Sequence, residues 1–141
     1  MAKKSKSKKP LVDVQRGKRK ESTARASICE GTGIVRINSV LLDAYQNRYA
    51  KELIYEPLRI ASDIAPTVDI KVRVQGGGAM GQAQASRLAI ARAIVAYTND
   101  ESLKQKMYEY DKFLVAEDSR RIEPKKYMGP KARARKQKSY R

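Results

Sequence analysis

The chain is short and strongly basic: its 141 residues include 31 Lys and Arg against 15 Asp and Glu, a net charge of +16. This length suits one domain, and 41% hydrophobic residues supply a modest core. Histidine is absent and cysteine occurs once, at Cys29, which excludes His-based catalysis, His-ligated metals and an intrachain disulfide. We expect no metal and no cofactor. The charge instead favours a polyanionic partner, with nucleic acid ahead of an anionic membrane.

The excess positive charge lies at the two ends of the chain. Residues 1–20 hold nine basic residues and one acid, and residues 125–141 hold eight basic residues and no acid. The intervening residues 21–124 carry 14 of each sign. We therefore predict a disordered basic arm at 1–13, a folded domain at 14–118 and a basic tail at 119–141. No secretory signal or membrane-spanning apolar run is present, so we expect a cytoplasmic protein.

The first half of the domain predicts a hairpin followed by a helix. The stretch "TARASICE" alternates in polarity, "EGTG" supplies a turn and "IVRI" has strand character, so residues 23–37 predict a β-hairpin. Apolar residues at helical spacing then predict a helix over 41–54, capped by Asn38 or Ser39. Pro57 is expected to end or bend this helix.

The second half predicts one strand and two helices. The stretch "TVDIKVRV" alternates strictly, which indicates a sheet with one covered face. An Ala-rich helix follows a glycine loop, and "NDESLKQKMYEYDKFL" predicts another helix. Thr98 and Glu101 fit a capping box at the start of that last helix. A sheet with one covered face is typical of α+β folds.

The glycine loop formally matches a dinucleotide-binding fingerprint. Gly76, Gly78 and Gly81 stand at the spacing G-x-G-x-x-G. Such a site needs another strand after the helix and an apolar strand before the loop, and the sequence predicts neither. We therefore interpret the loop as structural: Gly76, Gly77 and Gly78 let the backbone turn, and Gly81 lets the helix approach the sheet. The free N–H groups at the helix start suit a nucleic-acid phosphate or water, and both alternatives stay open.

Three segments carry a more specific signal than this loop. "GKRKESTARASI" at 17–28, "GGGAMGQAQASRLAIARAI" at 76–94 and "DSRRIEPKKYMGPKARARKQKSYR" at 118–141 resemble the universal small-subunit ribosomal protein of the ninth family, in its archaeal and eukaryotic form. The resemblance implies a non-enzymatic component of the subunit head, bound to the 3′ domain of small-subunit rRNA beside other head proteins. It also implies an α+β fold with a four-stranded sheet, helices on one face and a left-handed βαβ crossover.

Basic residues at 16–25 and in the tail are the candidate rRNA ligands, because Arg chelates phosphate with two donors and Lys acts as a point charge. They are Arg16, Lys18, Arg19, Lys20, Arg25, Arg120, Arg121, Lys125, Lys126, Lys131, Arg133, Arg135 and Lys136. The resemblance further implies that the tip of the tail contacts the peptidyl-site tRNA through Lys138, Ser139, Tyr140 and Arg141. Two alternatives stay open: a free-standing RNA or DNA chaperone with basic tails, and a nucleotide-dependent oxidoreductase.

Overall fold

A mixed sheet with the strand order β1-β2-β5-β3-β4 organises the computed structural model, which describes residues 14–137 and 139. The strands are β1 (Gln15–Arg19), β2 (Ser22–Glu30), β3 (Val35–Ile37), β4 (Val40–Leu41) and β5 (Val68–Gln75). The helices are α1 (Arg48–Ile60), α2 (Ala79–Thr98) and α3 (Glu101–Tyr110), with 3₁₀ turns at Leu42–Ala44, Ala65–Thr67 and Lys112–Leu114. No helix within the described ranges has the length and apolar character needed to cross a membrane. The predicted arm at 1–13 lies outside these ranges.

The core lies on one side of the sheet, as the alternation in β5 predicts. Val68, Ile70, Val72 and Val74 are at most 7% exposed, while the residues between them are partly or fully exposed on the other face. Buried residues of α1, α2 and α3 join the same apolar cluster as these strand residues. The predicted α+β class, with helices on one face of the sheet, is therefore confirmed.

The predicted hairpin at 23–37 is wrong, because β5 lies between β2 and β3. β5 pairs antiparallel with β2 along eight residue pairs and parallel with β3 along three. The "EGTG" segment crosses the start of β5, where the Asp69 carboxylate accepts the backbone N–H groups of Thr32 (2.8 Å) and Ile34 (2.9 Å). Gly33 adopts a φ of +86° in this crossing. Long-range pairing with β5 thus outweighs the local turn signal.

The described part of the sheet has five strands where the resemblance implied four. The edge strands are β1 and the two-residue β4. The segment "QRGKR" of β1 has no apolar alternation, because its core-facing position is Gly17, where a Cβ would lie 2.2 Å from the Ala85 carbonyl oxygen of α2. The real hairpin joins β1 to β2. β3, α1 and β5 form a parallel crossover unit, and its left-handed sense stays a prediction.

Helix α1 begins later than predicted. Asn47, not Asn38 or Ser39, caps it and accepts a first-turn N–H at 3.1 Å. Asn38 and Ser39 have φ values of 46° and 73° in the tight β3–β4 turn, and such positive values exclude the start of an α-helix. Pro57 does not end the helix, which continues for three residues beyond it to Ile60.

The predicted capping box at 98–101 is wrong as well. Thr98 is the last residue of α2, and its hydroxyl donates to the Ile94 carbonyl at 3.0 Å. Asp100 caps α3 by accepting the Ser102 N–H at 2.8 Å. The two helices therefore follow each other almost directly, and Asn99 makes the turn with a φ of 52°.

Candidate nucleic-acid interface

The tail presents exposed cations with few acidic partners. Glu123 pairs with Lys126 at 3.4 Å and with Arg133 at 2.8 Å. Four further exposed cations form no ion pair within the described ranges: Lys125, Lys131, Arg135 and Lys136. Tyr127 stands among them with 92% of its surface exposed. This composition fits phosphate binding with one aromatic ring available for stacking.

The start of the tail is held by Asp118, which is only 5% exposed. Arg120 donates to its carboxylate from Nη2 (2.7 Å) and from the backbone N–H (2.8 Å). Arg19 of β1 places Nη1 2.9 Å from Oδ2 and donates from Nε to Gln84 of α2 at 2.7 Å. The hydrogen bonds from Arg120, together with the charge of Arg19, hold the pKa of Asp118 well below its usual range. The carboxylate is therefore ionised and fastens the tail to β1, whose Arg19 in turn contacts α2.

A second set of contacts secures the residues just before Asp118. Arg92 of α2 donates to the carbonyls of Val115 (3.0 Å) and Arg16 (2.9 Å) and pairs with Glu117 at 3.3 Å. Arg121 donates to the carbonyl of Asp118 at 2.6 Å. The chain therefore leaves the domain from a fixed point beside β1.

The predicted cations of β1 and β2 fall on two different faces. By register, Arg16, Lys18 and Arg25 lie on the sheet face opposite the helices, and Arg16 and Arg25 are exposed. Arg19 points to the helix side, where Asp118 holds it. Lys20 is exposed in the β1–β2 turn and has a φ of 52°. Arg19, Arg120 and Arg121 are thus engaged in internal contacts, and an RNA-binding role for them stays a prediction.

Three cations on the helix-free face were missed by sequence reasoning. Arg36 of β3 and Lys71 and Arg73 of β5 are exposed there beside Arg25. They were overlooked because residues 21–124 are neutral in sum. The available signal was the alternation in "VDIKVRVQ", which places Lys71 and Arg73 on the polar side of β5.

The glycine loop packs against Ser22 at the start of β2. Gly76 and Gly77 have φ values of 77° and 65°, and a Cβ on Gly77 would lie 2.1 Å from the Ser22 hydroxyl oxygen. A Cβ on Gly81 would lie 2.7 Å from the same atom. Gly78 differs, since its φ is −99° and no atom lies within 4 Å of its added Cβ. The close approach of α2 to the sheet therefore depends on the missing side chains of Gly77 and Gly81. At Gly78 an added Cβ would meet no other atom.

The elements around this loop do not form a dinucleotide-binding unit. Helix α2 leads into helix α3, whereas the dinucleotide fold continues into another parallel strand. Within the described ranges, no group of three or more His, Cys, Asp or Glu side chains is arranged to hold a metal ion. The groups available for binding a ligand are therefore the exposed cations.

Comparison with known proteins gives consistent matches over most of the chain. The family model described as ribosomal protein S9/S16 matches residues 17–141. The small ribosomal subunit protein uS9 of Thermoplasma acidophilum is 52% identical over 125 residues, covering 89% of this chain and 97% of that protein. The protein of the same name from Desulfurococcus amylolyticus is 48% identical over 130 residues, covering 92% and 93%.

Proposed function

Because the chain belongs to the ribosomal protein S9/S16 family, we propose that it is a structural constituent of the small ribosomal subunit that binds small-subunit rRNA. The family is not an enzymatic one, so the oxidoreductase alternative has no support. The proposed location is the subunit head in the cytoplasmic ribosome, on the 3′ domain of the rRNA and beside other head proteins.

The observation that carries this proposal is the exposed, largely unpaired charge of the tail. Lys125, Lys131, Arg135 and Lys136 are exposed without an acidic partner in the described ranges. Like charges along one segment repel each other, and a polyanion relieves that repulsion. Ala132 and Ala134 have small side chains, so the segment between the cations is narrow enough to pass between RNA helices.

The anchor at Asp118 supports a tail with a defined direction. A tail that leaves the domain at a fixed point loses less conformational entropy on binding than a tail whose starting point is mobile. Asp118, Arg19 and Arg92 supply that point by joining the tail to β1 and α2. The domain therefore serves as a base from which the tail reaches RNA.

The test is sedimentation with small subunits through a high-salt wash. We expect the wild-type chain to remain bound, because many phosphate contacts must break together. A variant with Lys125, Lys131, Arg135 and Lys136 changed to Gln should leave the subunits at lower salt. A wild-type chain that stays at the top of the gradient even at low salt would instead favour the free-standing chaperone.

We also propose that the tail tip contacts the peptidyl-site tRNA. Lys138, Tyr140 and Arg141 lie outside the described residues, and Ser139 is exposed. If the turn that brings Arg133 to Glu123 opens, a fully extended chain from Lys125 to Arg141 spans on the order of 55 Å, at about 3.3 Å per residue. The tip can thus act far from the domain, with phosphate contacts that do not depend on tRNA sequence.

Deletion of residues 138–141 tests this second role. We expect subunit assembly to continue, because most RNA contacts lie upstream. Binding of several tRNAs to the peptidyl site of purified small subunits should weaken by about 1–3 kcal/mol, measured by filter binding. Unchanged affinity for every tRNA would contradict the contact, and a loss confined to one tRNA would contradict a backbone contact.

A further inference from the structure

The helix-free face of the sheet carries two rows of aligned cations. Register places Arg16, Arg25 and Arg73 side by side on β1, β2 and β5. In the next row, Lys71 of β5 lies beside Arg36 of β3. Neighbouring strands are about 4.8 Å apart, so the first row gathers three guanidinium groups across about 10 Å.

On β5, Asp69 is the one acid that shares the face with these five cations. All five are exposed, and none forms an ion pair within the part of the chain that the structure describes. The nearest acid on β5 is Asp69, whose pKa is lowered by the N–H groups of Ile34 and Thr32 that its carboxylate accepts. That carboxylate is committed to the crossing between β2 and β3. Asp69 interacts electrostatically with Lys71 alone among the five, so most of the positive charge of the two rows stays uncompensated.

Such an arrangement weakens the isolated domain. Like charges directly opposite each other on neighbouring strands are destabilising, and Arg25 has an arginine opposite it on each side. Core packing does not require these side chains, because they point away from the core. A bound anion would be attracted by these cations and would relieve the repulsion between them.

The rest of the face suits RNA better than a protein surface. On β1, β2 and β5 its remaining positions include Thr23, Ser27 and Gln75, which are polar and uncharged. A protein interface centres on apolar and aromatic side chains, and on this face the exposed Leu41 of β4, beside Arg36, is a single aliphatic residue at the edge of the sheet. Hydroxyl and amide groups beside arginines suit phosphate oxygens and ribose hydroxyls.

A shallow depression marks the place for one phosphate group. It has a volume of about 200 Å³ and is lined by Thr23, Arg25, Arg73, Val74 and Gln75. Two arginine forks on one cavity can hold a phosphate with several charge-assisted hydrogen bonds.

We propose that the helix-free sheet face binds the sugar-phosphate backbone of an rRNA segment, as a second surface separate from the tail. This inference rests on the proposed rRNA-binding function and adds a site to it. The contacts are to phosphate and ribose, so the face fixes how the domain sits on the RNA and does not read base sequence.

The test compares two triple variants with the same change in charge. The face variant carries Arg25→Gln, Lys71→Gln and Arg73→Gln. The control carries Arg48→Gln, Lys106→Gln and Lys112→Gln, exposed cations of α1, α3 and the following turn. Both are titrated with a transcript of the 3′ domain of small-subunit rRNA, in the full chain and in a chain lacking residues 125–141.

We expect the face variant to bind at least about 10-fold more weakly than the control in both backgrounds. The slope of the logarithm of its binding constant against the logarithm of salt concentration should become shallower by about 2 to 3 units. Each phosphate that is no longer neutralised removes about 0.7–0.9 from that slope. Hydroxyl-radical footprinting should show an rRNA segment that loses protection with the face variant and keeps it without the tail. Circular dichroism should show that the variant unfolds no earlier than wild type.

The possible results separate failure of this inference from failure of the proposed function. If wild type binds the transcript and the face variant matches the control, the sheet face is not an RNA surface. The same conclusion follows if the face variant binds RNA normally but loses an acidic protein of the subunit. If wild type does not bind the transcript, the proposed function itself fails, and this inference fails with it.

Discussion

At the residue scale, Asp118 connects the folded domain to its tail. Its carboxylate accepts hydrogen bonds from Arg120 and lies 2.9 Å from a guanidinium nitrogen of Arg19 on β1. Sequence reasoning ended the domain at this residue because periodicity fades there, but no pattern indicated the partner 99 positions earlier in the chain. Ion pairs between distant segments leave no periodic trace, so only the fold reveals them.

Asp118→Asn should lower the free energy of unfolding at neutral pH. The pKa of Asp118 is lowered in the folded state, so the unfolded chain takes up the proton first as the pH falls. The stabilisation is complete above the unfolded pKa of about 4 and is lost progressively below it. Denaturant unfolding should therefore show a gap between wild type and variant that is constant from pH 5 to 8 and narrows at pH 3.

Asp63→Asn is the matched control, because Asp63 is exposed and, among the residues that the structure describes, only the neighbouring Ser62 hydroxyl reaches it, at 3.4 Å. Equal effects of the two substitutions at pH 7 would contradict the anchoring role of Asp118.

The glycine loop gives a second contrast between neighbouring residues. Gly77→Ala forces a positive φ on alanine and pushes its Cβ against Ser22, so it should destabilise the domain by about 1–3 kcal/mol. Gly78→Ala meets open space at an ordinary φ and should change stability by less than about 0.5 kcal/mol. Thermal or denaturant unfolding of the two variants measures the contrast. Similar losses at both positions would contradict the assignment of Gly78 as free.

At the element scale, long alternating or helical patterns predicted the structure and short local signals did not. β5 and α2 follow from alternation and from an Ala-rich run, because burial on one face imposes those patterns. The prediction of a β2–β3 hairpin was wrong because a turn signal does not determine which strand pairs with β2. β5 is the longer pairing partner. β1 was missed because Gly17 meets α2 directly and leaves no apolar side chain to detect.

Arg87 is the element-scale contact whose loss we expect to matter most. It lies on α2 and pairs with Glu56 of α1 (2.5 Å) and with Asp111 just after α3 (2.7 Å). Its side chain is only 10% exposed, so Arg87→Leu leaves two carboxylates facing a poorly hydrated space. We expect a loss of about 2–4 kcal/mol in the free energy of unfolding.

Arg59→Leu provides the comparison within α1. Arg59 pairs with Glu52 at 2.5 Å, but its side chain is 63% exposed. Exposed pairs contribute about 0–1 kcal/mol, so this variant should unfold almost like wild type. Denaturant titration of both variants gives the comparison, and a smaller loss for Arg87→Leu than for Arg59→Leu would show that the buried pairs do not hold the helices together.

At the scale of the whole molecule, the fold separates basic from acidic side chains more strongly than the order of residues along the chain does. The tail cations could be identified from sequence because they form an uninterrupted run without acids. On the sheet face, Arg16 and Arg25 were named from sequence, but Arg36, Lys71 and Arg73 were not, because acids elsewhere in residues 21–124 balance their charge in sum. Glu56 and Asp111 pair with Arg87, and Asp69 holds the β2–β3 crossing. A segment that is neutral in sum thereby acquires one strongly basic face.

The salt dependence of rRNA binding tests most directly whether the tail is the main electrostatic contact. The eight cations of residues 125–141 should contribute about 5 to 7 units to the log–log slope, at about 0.7–0.9 per phosphate neutralised. Titration of a 3′-domain rRNA transcript at several salt concentrations compares the full chain with one lacking residues 125–141. We predict that the truncated chain loses several units of slope and keeps a smaller, salt-dependent binding from the sheet face. An unchanged slope after truncation would mean that the tail does not contact phosphate and would contradict this account.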